Sequence, residues 1–303
     1  MKMNEFFYHN PVLLEESISE LITDPNGIYI DATFGGGGHS KEALQKLSNK
    51  GRLFAFDQDI DVKKNLIDDT RFYFINSNFK YLKKYLNHFK IFKVAGIIAD
   101  FGVSSYQLEI PSRGFSIMND GPLDMRMNQS SVLTAESIIN NYEERKIYKI
   151  LKDYGQVRKA SEIAKKIVSY RKIKPIKSTA GLVRVIEDSL NKFSKYKTLA
   201  KIFQSIRIEV NDELAVIKQL MLQASELIEL KGRMVCISYH SLEDRIVKNF
   251  IRSGSFDNKD NRDFFGNIKK PFKKIGSLVI PKVEEINNNK RARSARMRIA
   301  EKI

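Results

Sequence analysis

A chain of 303 residues that is 42% hydrophobic and carries a single cysteine can bury one large core or two modest ones, and it excludes an internal disulfide. No apolar run approaches the ~20 residues of a spanning helix and the first ten residues lack a signal-peptide core, so a cytoplasmic protein with no membrane partner is expected. The formal net charge of +16 calls for a polyanionic partner, of which nucleic acid is the commonest.

In chain order, Ile28-Tyr29-Ile30 runs into Asp31, then Gly35 to Gly38, then a helical pattern from Lys41 to Leu47. Strand, glycine turn, helix is the order of a small-molecule cradle, because glycines admit positive φ and close approach while the helix start offers free N–H groups. A dinucleotide fold needs G-x-G-x-x-G. Counted from Gly35 or Gly36, the third glycine position holds Ser40 or Lys41, so that pattern fails. The acid followed by glycines resembles instead the loop of S-adenosylmethionine-dependent methyltransferases. A second acid is then expected after the next strand, ~20 residues on. Arg52 to Asp57 supplies it, with Asp57 placed to accept from ribose hydroxyls.

Asp59 can cap a helix from Asp61 to Ile67, Arg71 to Ile75 reads as a strand, Tyr81 to Phe89 as a helix, and Val94 to Asp100 as a strand buried on both faces. This alternation predicts a doubly wound α/β sheet. Asp57 to Asp61 fails as a calcium loop, since Val62 stands where glycine is needed. Asp100-Phe101-Gly102 lacks the other protein-kinase motifs. From Gly102 to Gln129 the pattern is loop-like, densest at Arg113 to Ser116 and Asp120 to Met127. From Ala135 to about Ile208 it is helical and basic, with one helix capped at Ser178 or Thr179, which suggests an inserted helical domain. Leu214 to Ile228 forms a helical stripe expected to stop at Gly232. Arg233 to Tyr239 is a fifth buried strand that holds Cys236, read as a core residue. His240 to Arg245 then opens a helix in which Ser241 and Asp244 have capping-box spacing, and a hydrolase triad of His240, Ser241 and Asp244 fails on geometry. Leu278 to Ile280 looks strand-like, and Lys290 to Arg298 reads as a basic segment suited to phosphate contact. The four histidines show no metal-ligand spacing.

Taken together, His9 to Leu14, Asp31 to Ser40, Asp100 to Ser105, Arg113 to Ser116, Asp120 to Met127 and His240 to Lys248 resemble, end to end, the MraW family of bacterial ribosomal RNA small subunit methyltransferases. The resemblance implies a class I, Rossmann-like S-adenosylmethionine-dependent sheet interrupted by a helical RNA-recognition domain. It places the methyltransferase domain at 1–108 and 212–303 and the insert at 109–211. It implies methyl transfer to the exocyclic N4 of a cytidine in 16S rRNA of the 30S subunit. Carried over by motif, the cofactor contacts fall on Gly37, Gly38, His39, Asp57, Phe79, Asp100 and Gln107. No metal is implied. Asp100 and then Asp124 are the candidate proton acceptors, while Phe101, Phe115 and Tyr239 are candidate stacking partners for an unstacked base. The sequence departs from the family pattern at Gly155-Gln156-Val157-Arg158 and at Lys201-Ile202, both in the insert. An RNA-binding protein that keeps the fold without the reaction, and an NAD-dependent oxidoreductase, are the competing readings. The oligomeric state, a homodimer included, is left open.

Overall fold

Every residue of Val94–Asp100 except the last is buried, as a strand covered on both faces must be, and it is the middle strand of a seven-stranded sheet. The computed structural model describes residues 11–257, 262, 265–266 and 270–303. It divides into two compact units: the described residues up to Gly102 with Leu214–Ile303, and Val103–Glu213.

In the first unit the chain runs through α1 (Leu14–Leu21), β1 (Ile28–Asp31), α2 (Gly38–Lys46), β2 (Arg52–Asp57), β3 (Phe72–Asn76), α3 (Leu82–His88) and β4 (Val94–Asp100). The helix expected after Asp59 is a 3₁₀ segment, Ile60–Asn65, with the Asp59 carboxylate accepting from Asp61 N as its cap. The strands form one sheet in the order β3-β2-β1-β4, all parallel. The order therefore reverses beside β1, where the chain returns from β3 to lay β4 on the other flank. Such a switch point opens a crevice at the strand carboxyl ends.

The second unit holds α4 (Ser105–Glu109), α5 (Ala135–Asn141), α6 (Glu144–Asp153), α7 (Ala160–Arg171), α8 (Thr179–Ile186) and α9 (Lys195–Asn211) around a core of its own. The stretch read as loop from Gly102 to Gln129 thus contains a helix, α4, closed by a capping box between Ser104 and Gln107. The rest of that stretch is ordered by backbone contacts. The buried Arg113 guanidinium donates to the carbonyls of Arg126 (2.9 Å) and Met127 (3.2 Å). Asn211 receives Met127 N and donates to Met125 O, both at 2.8 Å. A Cβ on Gly121 would stand 1.8 Å from Pro111 O, so two limbs of the loop are in backbone contact, as only glycine permits.

The chain then enters α10 (Glu213–Leu227), β5 (Ile228–Ser238), α11 (Ser241–Ser253), β6 (Phe272–Val279), α12 (Val283–Asn288) and β7 (Arg296–Lys302). Gly232 does not end the helix: α10 runs directly into β5, and Lys231 takes the positive φ of 67°. The β4–β5 register shifts there, and a Cβ on Gly232 would lie 2.6 Å from Ala95 O, so the glycine serves a bulge. The basic segment Lys290 to Arg298 is likewise not a free arm. It ends inside the sheet, where β7 lies antiparallel between β5 and β6 with Met297 and Ala300 fully buried. No helix among the described residues is long and apolar enough to cross a membrane.

Candidate active site

Three carboxylates stand at the carboxyl ends of the strands beside the switch point: Asp31 on β1, Asp57 on β2 and Asp100 on β4. Asp31 is occupied by its own chain, receiving Thr33 N (3.0 Å) on one oxygen and the Ser40 hydroxyl (2.7 Å) on the other; it ties the glycine turn to the start of α2. Asp57 receives Gly35 N on Oδ2 (2.8 Å) and Asp59 N on Oδ1 (2.9 Å), which leaves one lone pair on each oxygen for a ligand. Enclosure raises both carboxyls to about 6.

The turn has the shape that the glycines predict. Gly35 and Gly37 have φ of 50° and 77°, a Cβ on Gly37 would meet the Phe34 ring at 2.9 Å, and one on Gly38 would meet Pro11 at 2.0 Å. Gly37 is the N-cap of α2 and brings no side chain to cap it, so among the described residues the first N–H groups of that helix have no side-chain acceptor from the cap. His39 lies in its first turn, but its ring is buried with Nε2 3.2 Å from Val12 O. Since a carbonyl only accepts, Nε2 carries the proton. Burial lowers the ring to about 4, so His39 is neutral at pH 7 and offers a ligand its backbone rather than its imidazole.

Asp100 is the least satisfied of the three. Its backbone N donates to Thr33 Oγ1 (2.7 Å) and the Tyr239 hydroxyl hydrogen-bonds its carboxyl, while enclosure chiefly, with the charges of Asp31 and Glu243, raises it to about 8. Its Oδ1 is enclosed and has no hydrogen-bond partner among the described residues. Sequence reasoning missed Thr33 and read Tyr239 as a stacking partner, whereas its hydroxyl is engaged with Asp100, because strand-end neighbours carry no spacing signal along the chain. Phe79 packs against this unit's core, its ring centroid 6.3 Å from that of Phe101.

Other candidates are placed differently. Phe101 and Phe115 are core residues of the first and second units, respectively, so neither offers a free face for stacking. Gln107 belongs to the second unit, where its side-chain oxygen accepts Ser104 N (3.1 Å) in the cap of α4. Asp124, also in that unit, grips Arg126 through both oxygens at 2.8 and 2.7 Å. The Arg126 bonds hold it below the usual carboxylate range despite its burial, a poor setting for a base.

The residues fit S-adenosylmethionine on structural grounds. An enclosed acid with an oxygen to spare suits a cationic sulfonium, Asp57 suits a diol, and the uncapped helix start suits a carboxylate. A family model described as the MraW methylase family matches residues 6–303. The chain belongs to the MraW methylase family. Relatives carrying the name "Ribosomal RNA small subunit methyltransferase H" include those of Christiangramia forsetii, 51% identical over 98% of both chains, and Flavobacterium johnsoniae, 50% identical over 98% of both. One from Bacteroides fragilis is 44% identical over the whole of both chains. Membership in a methylase family and this α/β fold give S-adenosylmethionine as the cofactor.

The cluster after β5 is structural in this MraW methylase. His240, not Ser241, caps α11, and Glu243, not Asp244, completes the box, its Oε2 accepting Tyr239 N at 2.8 Å. That bond fixes the residue that holds Asp100. Asp244 instead pairs with Arg298 on β7 through Nε (2.6 Å) and a terminal nitrogen (3.1 Å). The pair is enclosed, with side-chain exposures of 16% and 8%. Asp244→Ala, which strands the guanidinium, is expected to lower unfolding free energy by about 3 kcal/mol in urea titration. Equal stability of variant and parent would show that the pair does not hold β7. Cys236 is fully enclosed, which pushes its thiol above the ordinary range and fits a core residue.

Proposed function

We propose that this methylase transfers a methyl group from S-adenosylmethionine to the exocyclic N4 of a cytidine in 16S rRNA of the small ribosomal subunit, acting in the cytoplasm. The observation that carries the reading is the enclosed Asp100 carboxyl, with Oδ1 unpartnered among the described residues, at the strand end beside the glycine turn. The family and the relatives' names supply the substrate class.

When bound, the cofactor supplies an electrophilic methyl on a sulfonium. The chain's own residues do the rest. The backbone N–H groups of Gly38 and His39 hold the methionine end, while Gly37, whose own N–H is spent on Phe34 O at 2.7 Å, lets it approach; Asp57 accepts the ribose hydroxyls, and Phe79 walls the adenine. The N4 lone pair is delocalised into the cytosine ring, so catalysis consists of orienting that nitrogen and accepting its proton. Asp100 is the acceptor we favour. Its raised affinity for a proton suits the task, and the bidentate hold of Arg126 on Asp124 disfavours the alternative. The helical unit, Val103–Glu213 where the sequence suggested 109–211, is the RNA-recognition part in this reading.

Undermethylated 30S particles incubated with radiolabelled cofactor and then digested to nucleosides are expected to yield N4-methylcytidine. Label at C5 or on a ribose oxygen would overturn the chemistry. Cofactor binding with no label in any RNA would favour a binding protein that keeps the fold alone.

A further inference from the structure

Within the helical unit is a cavity of about 480 Å³ whose lining includes Arg158, Lys159, Lys197 and Lys201 and no carboxylate. Lys159 has a partner in Glu162 at 3.3 Å. Arg158, Lys197 and Lys201 make no ion pair among the described residues. Uncompensated cations gathered on one concave surface repel one another, so they lower their energy by taking up an anion.

The backbone adds to the same field. Two helices begin at the cavity wall: α7, of 12 residues, has Lys159 as N-cap, and α9, of 17, has Ser194, and neither cap residue bonds the helix with its side chain. Ala160 N is spent on Val157 O at 3.3 Å and a 3₁₀ turn, Lys192–Ser194, leads into α9, so it is the N–H groups that follow Ala160 in α7 that are oriented donors for an oxyanion. Gln156, also in the lining, has a φ of 47° because it ends α6, with Gln156 N on Lys152 O and Val157 N on Leu151 O, both at 3.1 Å; this turn delivers Arg158 to the wall. Both stretches that depart from the family pattern, at 155–158 and 201–202, contribute to this wall.

Beside the lining residues Asn191, Ser194 and Lys197, the chain sets Phe193 and Tyr196 in water, 103% and 66% exposed. Aromatic rings left in solvent beside an anion pocket form a platform for unstacked bases, which present both a phosphate and a π-face. We propose that this cavity seats a backbone phosphate of single-stranded RNA, with Phe193 and Tyr196 taking the adjoining bases. The inference rests on the RNA reading above and specifies where the helical unit grips its substrate.

The test is fluorescence anisotropy of a labelled single-stranded 12-mer RNA against the full chain across a salt series. The double variant Arg158→Gln/Lys201→Gln is expected to bind at least about tenfold more weakly, and the slope of log affinity on log salt should flatten by about 1 to 2. Phe193→Ser should weaken binding about tenfold with the slope unchanged. Unchanged melting and unchanged S-adenosylmethionine affinity would verify that each variant is folded. Parent-like RNA affinity and slope in the folded double variant would overturn the proposal. So would stabilisation of the parent, but not the variant, by inorganic phosphate while the two bind the RNA equally, for that outcome describes a free-phosphate site. Because the readout is binding, failure of the parent to methylate rRNA would overturn the reaction and leave the pocket standing.

Discussion

Replacing Asp57 by alanine is expected to weaken S-adenosylmethionine binding by at least about 100-fold, since two hydrogen bonds from ribose hydroxyls to a charged acceptor are worth about 1.5–3 kcal/mol each. The same carboxylate also holds the glycine turn through Gly35 N at 2.8 Å, so the cradle loosens as its anchor disappears. Isothermal titration calorimetry reads the effect directly, and Asp57→Asn, which keeps an acceptor oxygen, should recover part of the loss. The proton affinity of Asp57 adds a signature. Enclosure places it at about 6, so the acceptor is charged above that value and neutral below it. Cofactor affinity should therefore fall as pH drops from 7 to 5 in the parent, and Asp57→Ala should show only the smaller step left by Asp31, also raised to about 6. Binding within threefold of the parent would remove Asp57 from the site.

Asp100→Asn should lower kcat by about 10² to 10⁴, the usual contribution of a positioned proton acceptor, with cofactor still bound. The sign of the pH dependence follows from enclosure, which holds Asp100 neutral below about 8. Only the ionised carboxylate can accept the N4 proton, so kcat/KM of the parent should rise with pH and level off above about 8. In kcat the rise should fall at lower pH, because a bound sulfonium favours the anion. The asparagine variant should lose this rise in both. Tyr239→Phe offers a milder companion: removing a hydroxyl that favours the ionised carboxyl should move the kcat/KM rise to higher pH. A variant at position 100 that keeps kcat within threefold, or a parent profile falling between pH 7 and 8, would assign the proton to another group.

The parts of the fold legible in the sequence are those whose signal is local. Ile28 to Asp31, the glycines and Asp57 announce themselves because strand, turn and helix follow within a few residues, and Val94 to Asp100 because a doubly covered strand is apolar throughout. What stayed hidden depends on contacts distant along the chain. The strand β7 was hidden in a segment read only for its charge, because Arg296 and Arg298 stand out in it, although Met297 and Ile299 alternate with them as a half-buried strand requires. Helix α4 is only five residues long, too short for periodicity to show, and its one clue was the Ser104–Gln107 spacing. At the site, His39 was legible as a position but not as an orientation, because the Val12 carbonyl that turns its ring away is not adjacent to it in sequence. Thr33 and Tyr239 gain their roles only where β1 and β5 flank β4.

The insertion also shapes how the sheet can assemble. Strands β4 and β5 are paired neighbours, yet all of Val103–Glu213 intervenes. As a structureless tether this stretch would make their meeting a slow, entropically costly search. Val103 and Val210, near its two ends, share a single apolar cluster. Once the helices have collapsed, that cluster replaces the tether with a short effective linkage, so folding of the inserted unit shortens the search by which β4 and β5 meet.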